Sequence, residues 1–327
     1  MTKRALFTKS VAFAALTLVG QWLIAGQDRP PEAERLASIL AHPVDVIMFG
    51  DSSFTNVAEK DVDRRPLHSM ITVDLSGLRV AVMAHAANHA GVYASMADAI
   101  IRSGNLPRAI VAPINLRSFS PEWDLKPSYQ FVDEMVYLSH STTIGRILHR
   151  PAEVFKYYDV NPISWSQYRN ATVFDGTKAV GRVAEFDNPS FEELSPAHSR
   201  GKFILHYMYQ LTPEHRRLQS LRHMAEALAR AGVHLILFVS PLDMEAGQKS
   251  LGADFGTRVQ QNIAVIRSAL VSTGAELIDL VAVVPDDDFD YVNYPTEHLK
   301  GAGRRQVANR VAGAVRAAVL GRRVGDR

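Results

Sequence analysis

The sequence predicts a three-layer α/β fold. Three observations carry the prediction: short apolar runs of strand length, amphipathic stretches of helix length between them, and glycine or proline at most of the boundaries. About five such runs alternate with helices along the 327 residues. Strands joined through helices lie parallel, and right-handed crossovers leave a flavodoxin-like, doubly wound sheet as the leading topology.

The first strand is Val44 to Phe49, an apolar run between Pro43 and Gly50 that reads as buried on both faces. Ahead of it, Glu32 to Ala41 has the Leu36, Ile39, Leu40 spacing of a short amphipathic helix. Ser52 to about Asp63 can form a helix, and Leu78 to Ala84 reads as the second strand. Gly91 to Ser103 is predicted helical, with Gly104 as its stop, before a third strand from Ala109 to Pro113. The pattern resumes later. Leu218, Leu221, Ala225 and Leu228 mark a helix before the strand Val233 to Val239. Val259, Ile263, Ile266 and Leu270 mark another before Leu277 to Leu280, and Val307, Val311, Val315 and Val319 give the last helix its buried stripe.

One segment breaks the alternation. Between Arg117 and about Gly201 no convincing buried strand is seen, while aromatic residues and six prolines accumulate. An insertion of this length is functional or mobile more often than not. It is expected to be a helical subdomain over the strand ends, with helices near Val132 to Ser139 and Thr143 to Tyr158, then a loop to about residue 200; the other reading is a peripheral elaboration of the core.

The N-terminus adds a separate signal. Lys3, Arg4 and Lys9 precede the apolar stretch Ser10 to Gly26, the pattern of an export signal or signal anchor. Trp22-Leu23-Ile24-Ala25 makes a poor cleavage site, so an uncleaved anchor and linker over residues 1–30 is expected, with the α/β domain over residues 31–327. Positive charge on the N-terminal side would leave that domain outside the cytoplasm, at a bacterial inner membrane, or secreted if the signal is cleaved.

Composition excludes several chemistries. With 36 Lys and Arg against 34 Asp and Glu there is no basic stripe for nucleic acid. The absence of cysteine removes disulfides, thiolate metal sites and a cysteine nucleophile. His85 and His89 lack a third metal ligand, Asp286 to Asp288 lacks the spacing of a calcium loop, and no phosphate- or dinucleotide-binding glycine pattern follows a strand. No cofactor is expected.

Four short motifs fall where predicted strands end: Gly50-Asp51-Ser52; Asn88-His89-Ala90-Gly91; Pro113-Ile114-Asn115; and Glu297-His298-Leu299, with Gly301 and Gly303, just before the last helix. Each has an ordinary structural reading, as turn, cap or helix-start residues. In this order, over roughly Val44 to Leu320, they resemble the four blocks of the SGNH, or GDSL-type, hydrolase superfamily. The resemblance implies Ser52 as nucleophile, His298 as its base, and an oxyanion site made of the backbone N–H of Ser52, the backbone N–H of Gly91 and the side-chain amide of Asn115. The superfamily usually carries an aspartate three residues before the histidine, where this chain has Pro295; the position two before is Thr296. Glu297 is then the favoured orienting acid, Asp290 the alternative, and a Ser-His dyad oriented by a backbone carbonyl the third arrangement.

Together these observations imply a serine esterase or O-acyltransferase acting on an acylated, exported or cell-envelope glycan, with envelope-biosynthesis partners. The aromatic insertion suits sugar rings and a water-excluding lid, which tilts toward transfer without choosing it. The alternative is a non-catalytic, glycan-binding or assembly component of the same fold.

Overall fold

A computed structural model describes residues 3–25, 30–139, 163–187, 195–291 and 295–321. Its strands are β1 (Val46–Gly50), β2 (Val80–Ala84), β3 (Ala109–Ile114), β4 (Thr172–Asp175), β5 (Lys178–Arg182), β6 (His234–Val239) and β7 (Glu276–Asp279). The described helices are α1 (Lys3–Ala25), α2 (Pro31–Leu40), α3 (Ser52–Thr55), α4 (Leu67–Asp74), α5 (Ala90–Ser103), α6 (Pro121–Leu125) and α7 (Val132–Ser139). They continue with α8 (Trp165–Asn170), α9 (Val183–Phe186), α10 (Pro196–Tyr207), α11 (Arg216–Arg230), α12 (Met244–Leu251), α13 (Ala253–Leu270) and α14 (Gly301–Leu320).

β1, β2, β3, β6 and β7 form one sheet in the order β2-β1-β3-β6-β7, and every pairing in it is parallel. This is the doubly wound order that the sequence predicts. Alternation along the strands explains the three layers, because successive side chains point to opposite faces. Ile47, Phe49, Ile110, Ala112, Leu235 and Leu237 pack with α5, α11 and α13 on one face. Val46, Met48, Val111, Ile236 and Phe238 pack with α4 and α14 on the other. All five residues of β1 are buried, as a central strand covered on both sides must be.

Two expectations change. The helix expected from Ser52 to Asp63 ends at Thr55, where Asn56 turns extended. The segment beyond it is held from far along the chain: fully buried Arg304 donates to Asp61 Oδ2 at 2.8 Å, to the Arg65 carbonyl at 3.0 Å and to the Asp63 carbonyl. The insertion is also not purely helical. β4 and β5 pair antiparallel around Gly176, whose φ of 72° suits the tight turn, and Val173 is buried beneath them. The Asp175-Gly176 step was the available hairpin signal. Helix α7 occupies the expected Val132 to Ser139; the helix expected from Thr143 to Tyr158 lies outside the described residues.

Among the described residues, two of the insertion's aromatics are packing residues. Trp123 is buried against Tyr129, with ring centroids 5.1 Å apart, and Tyr168 is buried with its hydroxyl donating to Asp187 Oδ2 at 2.6 Å. Trp165 is half exposed, at 52%. Inside this region a buried charge cluster joins α6 to α10. Burial would raise the Glu122 carboxyl, but His206, Lys202 and Lys126 outweigh it and hold the group well below the usual carboxylate range.

Helix α1 forms over the expected apolar stretch, and its described side chains from Phe7 to Val19 are exposed. Among the described residues, no helix is long and apolar enough to cross a membrane, so a spanning anchor over Ser10 to Gly26 gains no support.

Candidate active site

Parallel strands of an open α/β sheet gather their following loops at one edge, and the four motifs lie there. β1 ends at Gly50 and hands the chain to the short helix α3. An ideal Cβ on Gly50 would stand 2.5 Å from Phe54 Cγ, so only glycine admits the tight return of Phe54 under the strand end. Asp51, fully buried, caps α3 by accepting the Ser53 N–H at 2.8 Å, and it also accepts the Ser53 hydroxyl at 2.6 Å. The two adjacent serines are thereby separated in role. Ser53 is bound back to the cap, whereas Ser52 Oγ lies 3.0 Å from His298 Nε2, a contact spanning 246 residues of sequence.

Burial, reinforced by the nearby Arg117 guanidinium, lowers the His298 pKa to about 4. The ring is therefore neutral near pH 7, with Nε2 able to accept the Ser52 proton. Asn115 lies at the end of β3 and is buried. Its amide donates one N–H to Asp51 Oδ2 at 3.2 Å, while its carbonyl accepts the Arg117 N–H at 3.0 Å. A side-chain amide has two N–H groups, so one remains for a ligand oxygen. Ser52 begins α3, and an N–H at that position has no partner within its helix.

Gly91 departs from the expected role. Its N–H donates to His89 Nδ1 at 3.1 Å, as the capping contact of α5, while His89 Nε2 lies 3.0 Å from the Tyr129 carbonyl. That arrangement commits the Gly91 amide to the protein. An ideal Cβ at Gly91 would lie 3.0 Å from His89 Cε1 and 3.1 Å from Met135 Sδ, so the glycine makes room for those side chains. Asn88, in the same motif, donates to the Gly50 carbonyl at 3.1 Å and ties the loop to the end of β1.

Neither expected acid reaches the imidazole. Asp290 is close in backbone terms, since its N–H donates to the His298 carbonyl at 2.9 Å and Phe289 pairs with Leu299. Its carboxylate instead accepts from Asn56 Nδ2 at 3.4 Å. Glu297 is buried and turned the other way. Tyr207 donates to its Oε1 at 2.7 Å, and Arg117 forms an ion pair with its Oε2 at 2.8 Å. Burial raises the Glu297 carboxyl, opposed by those two groups. Adjacent side chains in an extended segment diverge, which is why Glu297 and His298 face opposite sides. His298 Nδ1 is buried and has no hydrogen-bond partner among the described residues. A backbone carbonyl in the third arrangement is likewise not found there.

Sequence reasoning did not find Arg117, Tyr207 or Arg304. Arg117 sits two residues beyond Asn115 and stacks 4.6 Å from the Trp123 ring centroid. Tyr207 ends α10, and Arg304 donates to the Leu299 carbonyl just after His298. Buried charged residues leave no periodic mark in a sequence. Among the described residues no group of acidic, histidine or cysteine side chains is arranged to hold a metal ion.

No protein-family model matches this chain, and no curated protein matches it in sequence. Among solved structures it is similar to a catalytic mutant of Axe2, an acetylxylan esterase from Geobacillus stearothermophilus, at 10% identity with a TM-score of 0.42, over 83% of this chain and 94% of that one. It is also similar to LAE5, an alpha/beta hydrolase enzyme from the metagenome of Lake Arreo, Spain, at 11% identity with a TM-score of 0.39, over 85% and 95% of the two chains. Both likenesses are remote.

Proposed function

We propose that the chain is a serine-dependent acyl-ester hydrolase of SGNH type, working through an acyl-Ser52 intermediate. The observation that carries this reading is the 3.0 Å contact between Ser52 Oγ and the neutral ring of His298. In the acylation step Ser52 Oγ attacks the ester carbonyl while its proton passes to His298 Nε2. Collapse of the tetrahedral intermediate breaks the bond to the leaving alcohol, which takes that proton. Water, deprotonated by the same nitrogen, then releases the acid and restores the serine. The Ser52 N–H and the second N–H of Asn115 are the donors available to the developing oxyanion. Without Gly91, the oxyanion site has two donors rather than three.

The substrate we propose is an acylated glycan outside the cytoplasm, reached through export directed by the N-terminal segment and with envelope-biosynthesis proteins as partners. The ordered motifs and the charge pattern ahead of Ser10 support it. Hydrolysis stands ahead of transfer to a sugar hydroxyl because Trp123 and Tyr168, two of the aromatics that favoured a sugar-holding lid, are buried, Tyr168 within the same core cluster as the central sheet. One observation favours the second reading, a non-catalytic glycan-binding component: His298 Nδ1 has no orienting partner among the described residues. Incubation with acetylated oligosaccharides and a free oligosaccharide acceptor, with released acetate measured against newly acetylated sugar, decides among them. Acetate release that disappears in Ser52→Ala supports hydrolysis. Acetylated acceptor as the main product supports transfer, and binding with neither product supports the non-catalytic reading.

A further inference from the structure

We propose that Glu297 is a positioning residue for His298, acting through the backbone rather than through the imidazole, and that Arg117 and Tyr207 are the groups that hold it. This rests on the serine-hydrolase reading and explains how that site keeps its base aligned with no acid on Nδ1 among the described residues. His298 N–H donates to Thr296 Oγ1 at 3.2 Å, and its carbonyl accepts from Asp290 N–H at 2.9 Å. These two bonds are local to the loop, whose C-terminal side is anchored by Arg304, which joins the Leu299 carbonyl to residues 61–65. The link from the loop to the rest of the domain on the Glu297 side is the buried carboxylate itself. It joins Tyr207, at the end of α10, and Arg117, on the turn Leu116–Phe119 that follows Asn115.

Arg117 is fixed in its turn by stacking on Trp123, and the turn by Tyr209, whose hydroxyl donates to the Leu116 carbonyl at 2.6 Å. The same carboxylate therefore sets the base loop against the turn that presents Asn115. Base and oxyanion donor are held in one frame. A buried ion pair adds little net stability over an apolar replacement, because desolvation offsets the Coulomb attraction. What it does supply is direction, through a planar guanidinium and a phenol that fit one carboxylate orientation. Alignment matters because displacing a catalytic group by about 1 Å can cost about 100-fold in rate.

The test compares Glu297→Ala, Glu297→Gln and Tyr207→Phe with the wild-type chain. Active sites are counted by fluorophosphonate labelling, so that kcat is expressed per reactive Ser52 and misfolded protein does not enter. Glu297→Ala is expected to lower kcat per labelled serine by about 100-fold with KM little changed. Tyr207→Phe is expected to lower it several-fold, and Glu297→Gln, which keeps an acceptor for Tyr207, to fall between them. A role in folding alone would reduce the labelled fraction and leave kcat per labelled serine at the wild-type value, which would overturn the proposal. The ring-proton NMR signals of His298 give a readout independent of turnover. One sharp set is expected in the wild type, and broadened or doubled signals in Glu297→Ala; an unchanged single set would overturn the proposal even if no ester were hydrolysed. Absence of turnover and labelling in the wild type, by contrast, would count against the hydrolase reading alone.

Discussion

The two halves of the site are built differently. The nucleophile half, which carries the proposed nucleophile, is local: Gly50 admits Phe54, Asp51 caps α3 and binds Ser53, and Ser52 Oγ is left to His298 within a few residues of the strand end. The base half, which carries His298 as the proposed base, is assembled from a distance. His298 sits in a loop tied to Asp290 by backbone pairing, to Arg117 and Tyr207 through Glu297, and to residues 61–65 through Arg304. A local half can be read as a motif, whereas a long-range half depends on which partners the fold brings to it. The base half should accordingly be the more easily deranged by substitutions far from it in sequence.

The largest effect expected is from the pair itself. Ser52→Ala and His298→Ala should each lower kcat/KM for an ester by about 10⁴-fold or more, and the double variant by scarcely more, because serine and base act as a unit. Ser53→Ala should keep most activity, since its hydroxyl serves the Asp51 cap. Equal losses at Ser52 and Ser53 would erase the distinction drawn between them.

The pH profile sharpens the base half. Protonated His298 cannot accept the serine proton, so kcat/KM should fall as pH drops through about 4 and stay level up to neutrality. Removing the guanidinium in Arg117→Met takes away a charge that lowers this pKa, so the acidic limb should move to higher pH. The same depression links to stability. With the folded-state pKa below the ordinary histidine value of about 6.5, the unfolded chain binds more protons between the two values. The stability His298 contributes is thus fully present above about pH 6.5 and is lost as pH falls toward about 4. Urea titrations of wild type and His298→Gln at pH 7 and pH 5 measure it, with the wild type losing more on acidification.

A smaller effect is expected in the nucleophile half, where Gly50→Ala forces a methyl group onto Phe54. Overpacking of this kind costs about 1–3 kcal/mol, visible as a lowered urea midpoint at unchanged slope. Smallest of all, Asp290→Asn should leave kcat and its pH limb unchanged, because that carboxylate faces Asn56 rather than the imidazole.

Legibility followed the same division. The sheet could be read in full, since β1, β3 and β6 are apolar runs between clear stops and their alternate residues fill two separate layers. Ser52, His298 and Asn115 are expected together from motifs at strand ends, and the fold brings Ser52 Oγ within 3.0 Å of His298 Nε2. Gly91 was misread because a glycine at a helix start looks the same whether it admits a substrate oxygen or, as here, the ring of His89 and the sulfur of Met135. Glu297 was misread because adjacency in sequence says nothing about side-chain direction, and the fold turns it toward Arg117 and Tyr207. The hairpin β4–β5 carried its signal in Asp175-Gly176, but lay in a segment whose prolines and aromatics drew attention to helices and lids.

The most direct test of the central claim is to label the intact chain with a fluorophosphonate and map the adduct by peptide mass spectrometry. The account predicts a single adduct on Ser52, absent from His298→Ala. An adduct on Ser53, or none in the folded wild-type protein, would contradict it.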